Sequence, residues 1–193
     1  MSNLNWNGLV RSFRIPKTYV PVYAILFAYL IYGGWRYYSM NCEYSTVFWY
    51  IHGVFHEVGH AVTRWAGETI CILSGTVFQI LTPISCGIYF CLSRERHAML
   101  MTIGWLGFAL LDTATYMKDA VEMRLQLVAP FASGENLIHN WNCLFYHWGI
   151  LRHANAIGNV VTAIGVAAVA ISLLLMVIAA IFGLLDGHGK EQD

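Results

Sequence analysis

Residues 159–185 read NVVTAIGVAAVAISLLLMVIAAIFGLL, a run without a single charged residue. A helical membrane span needs roughly 17–25 mostly apolar residues, so this run predicts a transmembrane helix. Four earlier apolar runs follow the same logic, at about 19–32, 45–65, 69–92 and 98–117. The expected fold is therefore all-α: a polytopic membrane helix bundle of about five transmembrane segments. The first run is short and closes at Gly33-Gly34, with Trp35, Tyr37 and Tyr38 as an interfacial aromatic belt. The third carries Gly75, Gln79 and Pro83, which leaves it open to a re-entrant rather than a spanning path.

Composition agrees. Apolar residues make up 58% of the 193 and charged residues 11%, against about 25% charged in an average soluble protein. Mean hydropathy is +0.54. A net charge of zero removes the basic case for nucleic-acid binding. The five cysteines, Cys42, Cys71, Cys86, Cys91 and Cys143, form no C-x-x-C pair and read mainly as buried thiols. The first apolar run lacks a small-x-small cleavage pattern, so it reads as a membrane segment and not a removed signal peptide.

The chain reads as one domain, with a core at about 45–155 and a last transmembrane helix at about 159–185. Residues 120–152 break the apolar pattern with mixed charges, Pro130 and Gly134. They are expected to form a long connection with an amphipathic, interfacial piece at about 137–151. With five spans and a cytoplasmic N-terminus, Arg11, Arg14, Lys17, Arg64, Lys118, Arg124 and Arg152 lie inside. Arg36, Arg94, Arg96 and Lys190 lie outside. Seven against four favours that orientation, and it flips if the third segment is re-entrant.

The second run holds His56-Glu57-Val58-Gly59-His60, the H-E-x-x-H pattern of zinc hydrolases. Imidazoles four residues apart share one helix face and can bind one ion. Glu57 then stands beside the metal as a general base. Ionisable residues inside spans are costly and mark functional sites. His52 extends the stripe, but positions eight apart on a helix are separated by about 12 Å, while zinc–nitrogen bonds are about 2.0–2.1 Å. Glu57 selects His56 and His60, leaving His52 on an entry path, in support of a ligand or at the interface. Gly53 and Gly59 allow close helix approach.

A catalytic zinc site takes three protein ligands and keeps one position open. Candidates for the third are Asp112, Asp119, His139, His147 and His153. Asp112 and Asp119 are seven apart and share a helix face. Asp112 also reads as a polar residue satisfied inside the bundle, and Asp119 as an interfacial cap or ion pair. His139 reads as ligand, hydrogen-bond support or substrate contact, or as one more interfacial residue, the reading preferred for His147 and His153.

These residues resemble the site-2 protease family of intramembrane zinc metalloproteases. The resemblance rests on His56-Glu57-Val58-Gly59-His60-Ala61-Val62 in an early membrane helix, Gly67 after it, and Gly75 to Pro83 beyond, and covers about 45–155. The family's second motif is an Asn/Pro-rich run ending in Leu-Asp-Gly, whose Asp is the third ligand. Residues 112–119 stand there, so the resemblance implies Asp119, with His139 as the alternative. The prolines are missing and Ala120 replaces the Gly. Small members tend to show His-Asp-Trp where this chain has His139-Asn140-Trp141, which removes any role for an Asp at that point.

What the resemblance implies is a Zn2+-dependent endopeptidase in a bacterial-type cell membrane. It would cleave a membrane-embedded protein or peptide, with selection by the membrane part or by a partner protein. Two alternatives remain. One is a non-catalytic membrane protein that retains a metal site. The other is a His-box di-iron oxidase built on His52, His56 and His60, disfavoured because no His-His pair occurs.

Overall fold

The structure is a computed structural model and describes residues 20–39, 47–125 and 139–187. Arg11, Arg14, Lys17, Cys42, Lys190 and residues 126–138 of the long connection lie outside the described residues. Six α-helices follow in order: α1 (Val20–Ser39), α2 (Val47–Thr63), α3 (Glu68–Leu92), α4 (Arg96–Asp119), α5 (Asn140–His147) and α6 (Ala154–Gly187). Short 3-10 turns lie at Arg64–Ala66 and Leu151–His153. No strand occurs among the described residues.

Three helical stretches are long and apolar enough to cross a membrane: Glu68–Leu92, Arg96–Asp119 and Leu151–Ile181. Their outward faces fit a lipid surround. On α6, Val160, Ile164, Val166, Ile171, Leu174 and Ile181 are all exposed, a row of large apolar side chains that water would not tolerate. The small and polar side of the same helix, including Gly158, Gly165 and Ser172, is buried.

Several segments run further than hydropathy alone suggests. α1 continues through Gly33-Gly34 to Ser39. α3 is one continuous helix with Gly75 and Pro83 inside it, and both are buried. The interruption expected there does not occur; packing against neighbouring helices offsets what proline costs a helix. α2 has 17 residues, about 26 Å at 1.5 Å per residue, somewhat under the ~30 Å hydrocarbon layer. The four described cysteines are free, but Cys71, Cys86 and Cys143 are half-buried and Cys91 is exposed, so the buried-thiol expectation does not hold.

The core lies where α4 packs on α6, with Leu30 of α1 joining Leu100, Phe108, Leu111, Val169 and Met176. Gly107 and Gly165 set the closeness of that crossing. A Cβ on Gly107 would lie 2.8 Å from the Gly165 carbonyl oxygen, and one on Gly165 would lie 3.0 Å from that of Gly107. Such close backbone approach is what small residues provide in membrane bundles, where dispersion replaces the hydrophobic effect. Ser172 adds an interhelical hydrogen bond, donating to the Leu100 carbonyl at 2.7 Å.

α2 turns back into α3 at Gly67, whose φ of +95° few other residues adopt. The pair packs closely because Gly59 has no side chain: a Cβ there would fall 2.4 Å from the Ser74 carbonyl oxygen. Gly53 meets nothing within 4 Å of its would-be Cβ, so it plays no part in the approach. α5 is short but anchored. Trp141, Leu144 and Phe145, at i, i+3 and i+4, are buried against Ile72, Met117 and Ala120, at roughly 1.5–3 kcal/mol per large apolar side chain. Tyr146 and His147 face outward.

Candidate metal centre

α2 carries His56 and His60 one turn apart, and α3 fixes both rings from the opposite side. His60 Nδ1 lies 2.7 Å from the Cys71 carbonyl oxygen. A carbonyl can only accept, so Nδ1 carries the proton and Nε2 keeps its lone pair. His56 Nδ1 lies 3.3 Å from Gln79 Oε1. The Gln79 amide is itself oriented, since its Nε2 donates to the Ala109 carbonyl at 3.2 Å and to Thr113 Oγ1 at 3.4 Å. Oε1 therefore faces His56, Nδ1–H donates to it, and the His56 Nε2 lone pair is likewise free. Hydrogen bonds of this kind, behind the ring, set the tautomer and aim of metal-binding histidines.

Both Nε2 atoms lie close beside Gly75. A Cβ on Gly75 would lie 2.6 Å from His56 Nε2 and 2.7 Å from His60 Nε2. Glycine leaves room there for both rings. The residues fit a divalent metal in that the two bare Nε2 atoms face a single atom, Asn140 Nδ2. Glu57 follows His56 by one residue, about 100° further round α2, and is half-buried.

The side chain that reaches both rings comes from α5. Asn140 Nδ2 lies 2.7 Å from His56 Nε2 and 3.0 Å from His60 Nε2. Asn140 is absent from the candidate ligands read from the sequence. Gln79 and Gly75 enter there as a possible break in the third segment and as part of the resemblance, not as site residues. Their signal was chemical: a lone amide in an apolar run needs a partner, and Asn140 stands where the resemblance has Asp.

Asp119 and His139 come together, but with each other. His139 Nε2 lies 3.2 Å from Asp119 Oδ2. Asp119 also accepts from the backbone N–H of Arg124 at 2.9 Å and of Leu125 at 3.0 Å. His139 Nδ1 accepts the Asn142 N–H at 3.2 Å, capping the N-terminus of α5. Among the described residues, no group of three or more His, Cys, Asp or Glu gathers in a way that could hold a metal ion. His147 and His153 are exposed, and His153 accepts from Arg152 Nε at 3.0 Å.

No protein family, curated protein or solved structure matches this chain. The reading of the site accordingly rests on its chemistry.

His52 stands apart from the pair. Trp105 Nε1 donates to its Nε2 at 2.9 Å, and its Nδ1 lies 2.5 Å from Asp112 Oδ2. An indole N–H is only a donor, so His52 Nε2 is bare and Nδ1–H donates to Asp112. Neither nitrogen is free for a metal, which counts against a three-histidine box. Phe48 stacks on the ring at 5.9 Å. His52, Asp112 and Trp105 thus tie α2 to α4 inside the bundle. Asp112→Ala strands a buried donor and is expected to cost about 1–3 kcal/mol. Thermal unfolding in detergent should report this as a lower midpoint with unaltered metal content; an unchanged midpoint would remove the tie from the fold's support.

Proposed function

We propose that this chain is a zinc-dependent intramembrane endopeptidase, as its resemblance to site-2 proteases implies. The observation that carries the reading is that the bare Nε2 atoms of His56 and His60 meet at one atom, Asn140 Nδ2, with both rings held from behind and Glu57 next to them on the same helix. His56 and His60 would hold Zn2+ there, and the bound ion would supply Lewis acidity toward a scissile carbonyl and toward a water molecule. The resemblance assigns the third ligand to Asp119, but here that carboxylate is bonded to His139 Nε2 and to the backbone N–H groups of Arg124 and Leu125.

Glu57 does the proton work. Its carboxylate takes the proton of the attacking water and passes it to the leaving amine nitrogen as the peptide C–N bond breaks. The water oxygen ends in the new carboxylate, and the proton in the new amine. A substrate helix must unwind locally first, because its backbone groups are satisfied internally. The continuous α3 has no open segment to receive it, so the proposed entry lies at the α2–α5 side, where Asn140 meets the histidines. The same reading takes α1 and α2 as spans beside the three long apolar helices, with the N-terminus cytoplasmic.

The test uses the full chain purified in detergent and a panel of single-span peptides. About one zinc per chain, cleavage of at least one peptide, and loss of cleavage on chelation with recovery on adding Zn2+ are expected. Cleavage indifferent to chelation would sink the zinc mechanism. Two irons per chain would favour the oxidase alternative, and bound zinc without cleavage of any peptide would favour a metal-retaining, non-catalytic protein.

A further inference from the structure

The geometry points to Asn140 as the third metal-binding side chain, acting through Oδ1, with Asp119 as the residue that positions it. This rests on the zinc-site reading of His56 and His60 and concerns what completes that site.

The two residues that the sequence offered as third ligand are committed elsewhere. The Asp119 carboxylate is engaged by His139 Nε2, Arg124 N and Leu125 N. His139 Nδ1 accepts a backbone N–H from Asn142, so its proton sits on Nε2 and points to Asp119. That leaves His139 no lone pair for a metal. Asn140 is in the opposite situation: its terminal amide already stands at the point where the histidine nitrogens converge.

The match is chemical as well as spatial. The Asn140 NH2 offers two N–H groups, one to each bare Nε2. The other end of the same amide is an oxygen, an acceptor. Facing two bare nitrogens it would be repelled; with a dication between them it becomes the third donor atom. One side chain therefore suits both conditions by exchanging its two ends, which rotation of the amide provides. Two imidazoles and a neutral oxygen carry less negative charge than two imidazoles and a carboxylate. The ion would be held less tightly and keep more of its Lewis acidity.

The rest of the local structure places that amide. Asp119, at the end of α4, receives the His139 N–H. His139 caps α5 through Asn142 N, and Asn142 Nδ2 donates to the Ala120 carbonyl at 2.7 Å. Asn140 is the first residue of the helix so fixed. Asp119 thus acts through His139 and the start of α5.

The experiment is zinc affinity of the full chain in detergent, by competition with a chromogenic chelator. It compares wild type with Asn140→Ala, Asn140→Asp and Asp119→Asn, each checked for helix content. Asn140→Ala should weaken zinc binding by more than about 100-fold, above the range for groups that only support a ligand. Asn140→Asp, of the same size, should bind more tightly than wild type and guards against a folding defect in the alanine variant. Asp119→Asn should cost about 10-fold. Equal or tighter binding by Asn140→Ala would overturn the proposal and make the amide a plug. So would complete zinc loss in Asp119→Asn with Asn140→Ala unaffected. A wild-type chain that binds no zinc would overturn the zinc-site reading itself, whereas a zinc-loaded wild type with an indifferent Asn140→Ala removes the Asn140 assignment alone.

Discussion

Glu57→Gln protein is expected to retain its zinc and lose its peptidase activity, with kcat lower by about 10²- to 10⁴-fold, the usual contribution of a positioned general base. The amide has the shape of the carboxylate but no basic oxygen, so it cannot take a proton from water or return one to the amine. Zinc should stay because neither ring depends on Glu57: His60 is held by the Cys71 carbonyl and His56 by Gln79. The pair of measurements is kcat on a cleavable single-span peptide and zinc per chain on the same sample. Retained cleavage would remove Glu57 from the mechanism. Loss of zinc along with activity would make the carboxylate part of the metal site rather than its base.

Hydropathy located the helices and most of their ends within two residues, missing chiefly the end of α1 and the start of α6. The run at 159–185 lies inside a helix of Ala154–Gly187, and that at 98–117 inside Arg96–Asp119. Backbone hydrogen bonding propagates past the last apolar residue, since each further residue adds one bond for the dihedrals it fixes. Gly33-Gly34 reads as a stop and Gly75 as a break within its run, yet a glycine inside a helix costs only about 1 kcal/mol relative to alanine, which neighbouring helices offset. The amphipathic piece expected at about 137–151 survives, among the described residues, as the short helix Asn140–His147, because only Trp141, Leu144 and Phe145 find a buried face.

The site was half legible. His56, Glu57 and His60 lie within five consecutive residues, and helix periodicity places the two imidazoles on one face without tertiary information. Their partners come from far along the chain. Gln79 is 23 residues from His56, and Asn140 is 84. No local periodicity predicts such contacts. Asp112 and Asp119 share a helix face, as their spacing of seven implies, yet they serve different partners, His52 and His139. Spacing along one helix says which residues line up, while the choice among possible partners belongs to the helices opposite.

Gly75→Ala carries the second large expectation: zinc content falling from about one per chain to near zero while the fold survives. The added methyl would lie 2.6 Å from His56 Nε2 and from His60 Cε1, and 2.7 Å from His60 Nε2. These are distances that atoms do not hold, so both rings must move away from Gly75. They are tethered from behind by Gln79 and the Cys71 carbonyl, so moving them also spoils their aim. Stability should change little, because overpacking of about 1–3 kcal/mol is partly offset by the ~1 kcal/mol gain in helix propensity. Gly59→Ala is the contrasting control. Its methyl would meet backbone, 2.4 Å from the Ser74 carbonyl oxygen, and no side-chain rotation relieves that. It should push α2 off α3 and lower the unfolding midpoint as well as the zinc content. Zinc per chain and thermal midpoint, measured together in detergent, separate the two variants. A Gly75→Ala protein that still holds one zinc would mean that the metal site does not depend on the ring positions that Gly75 allows.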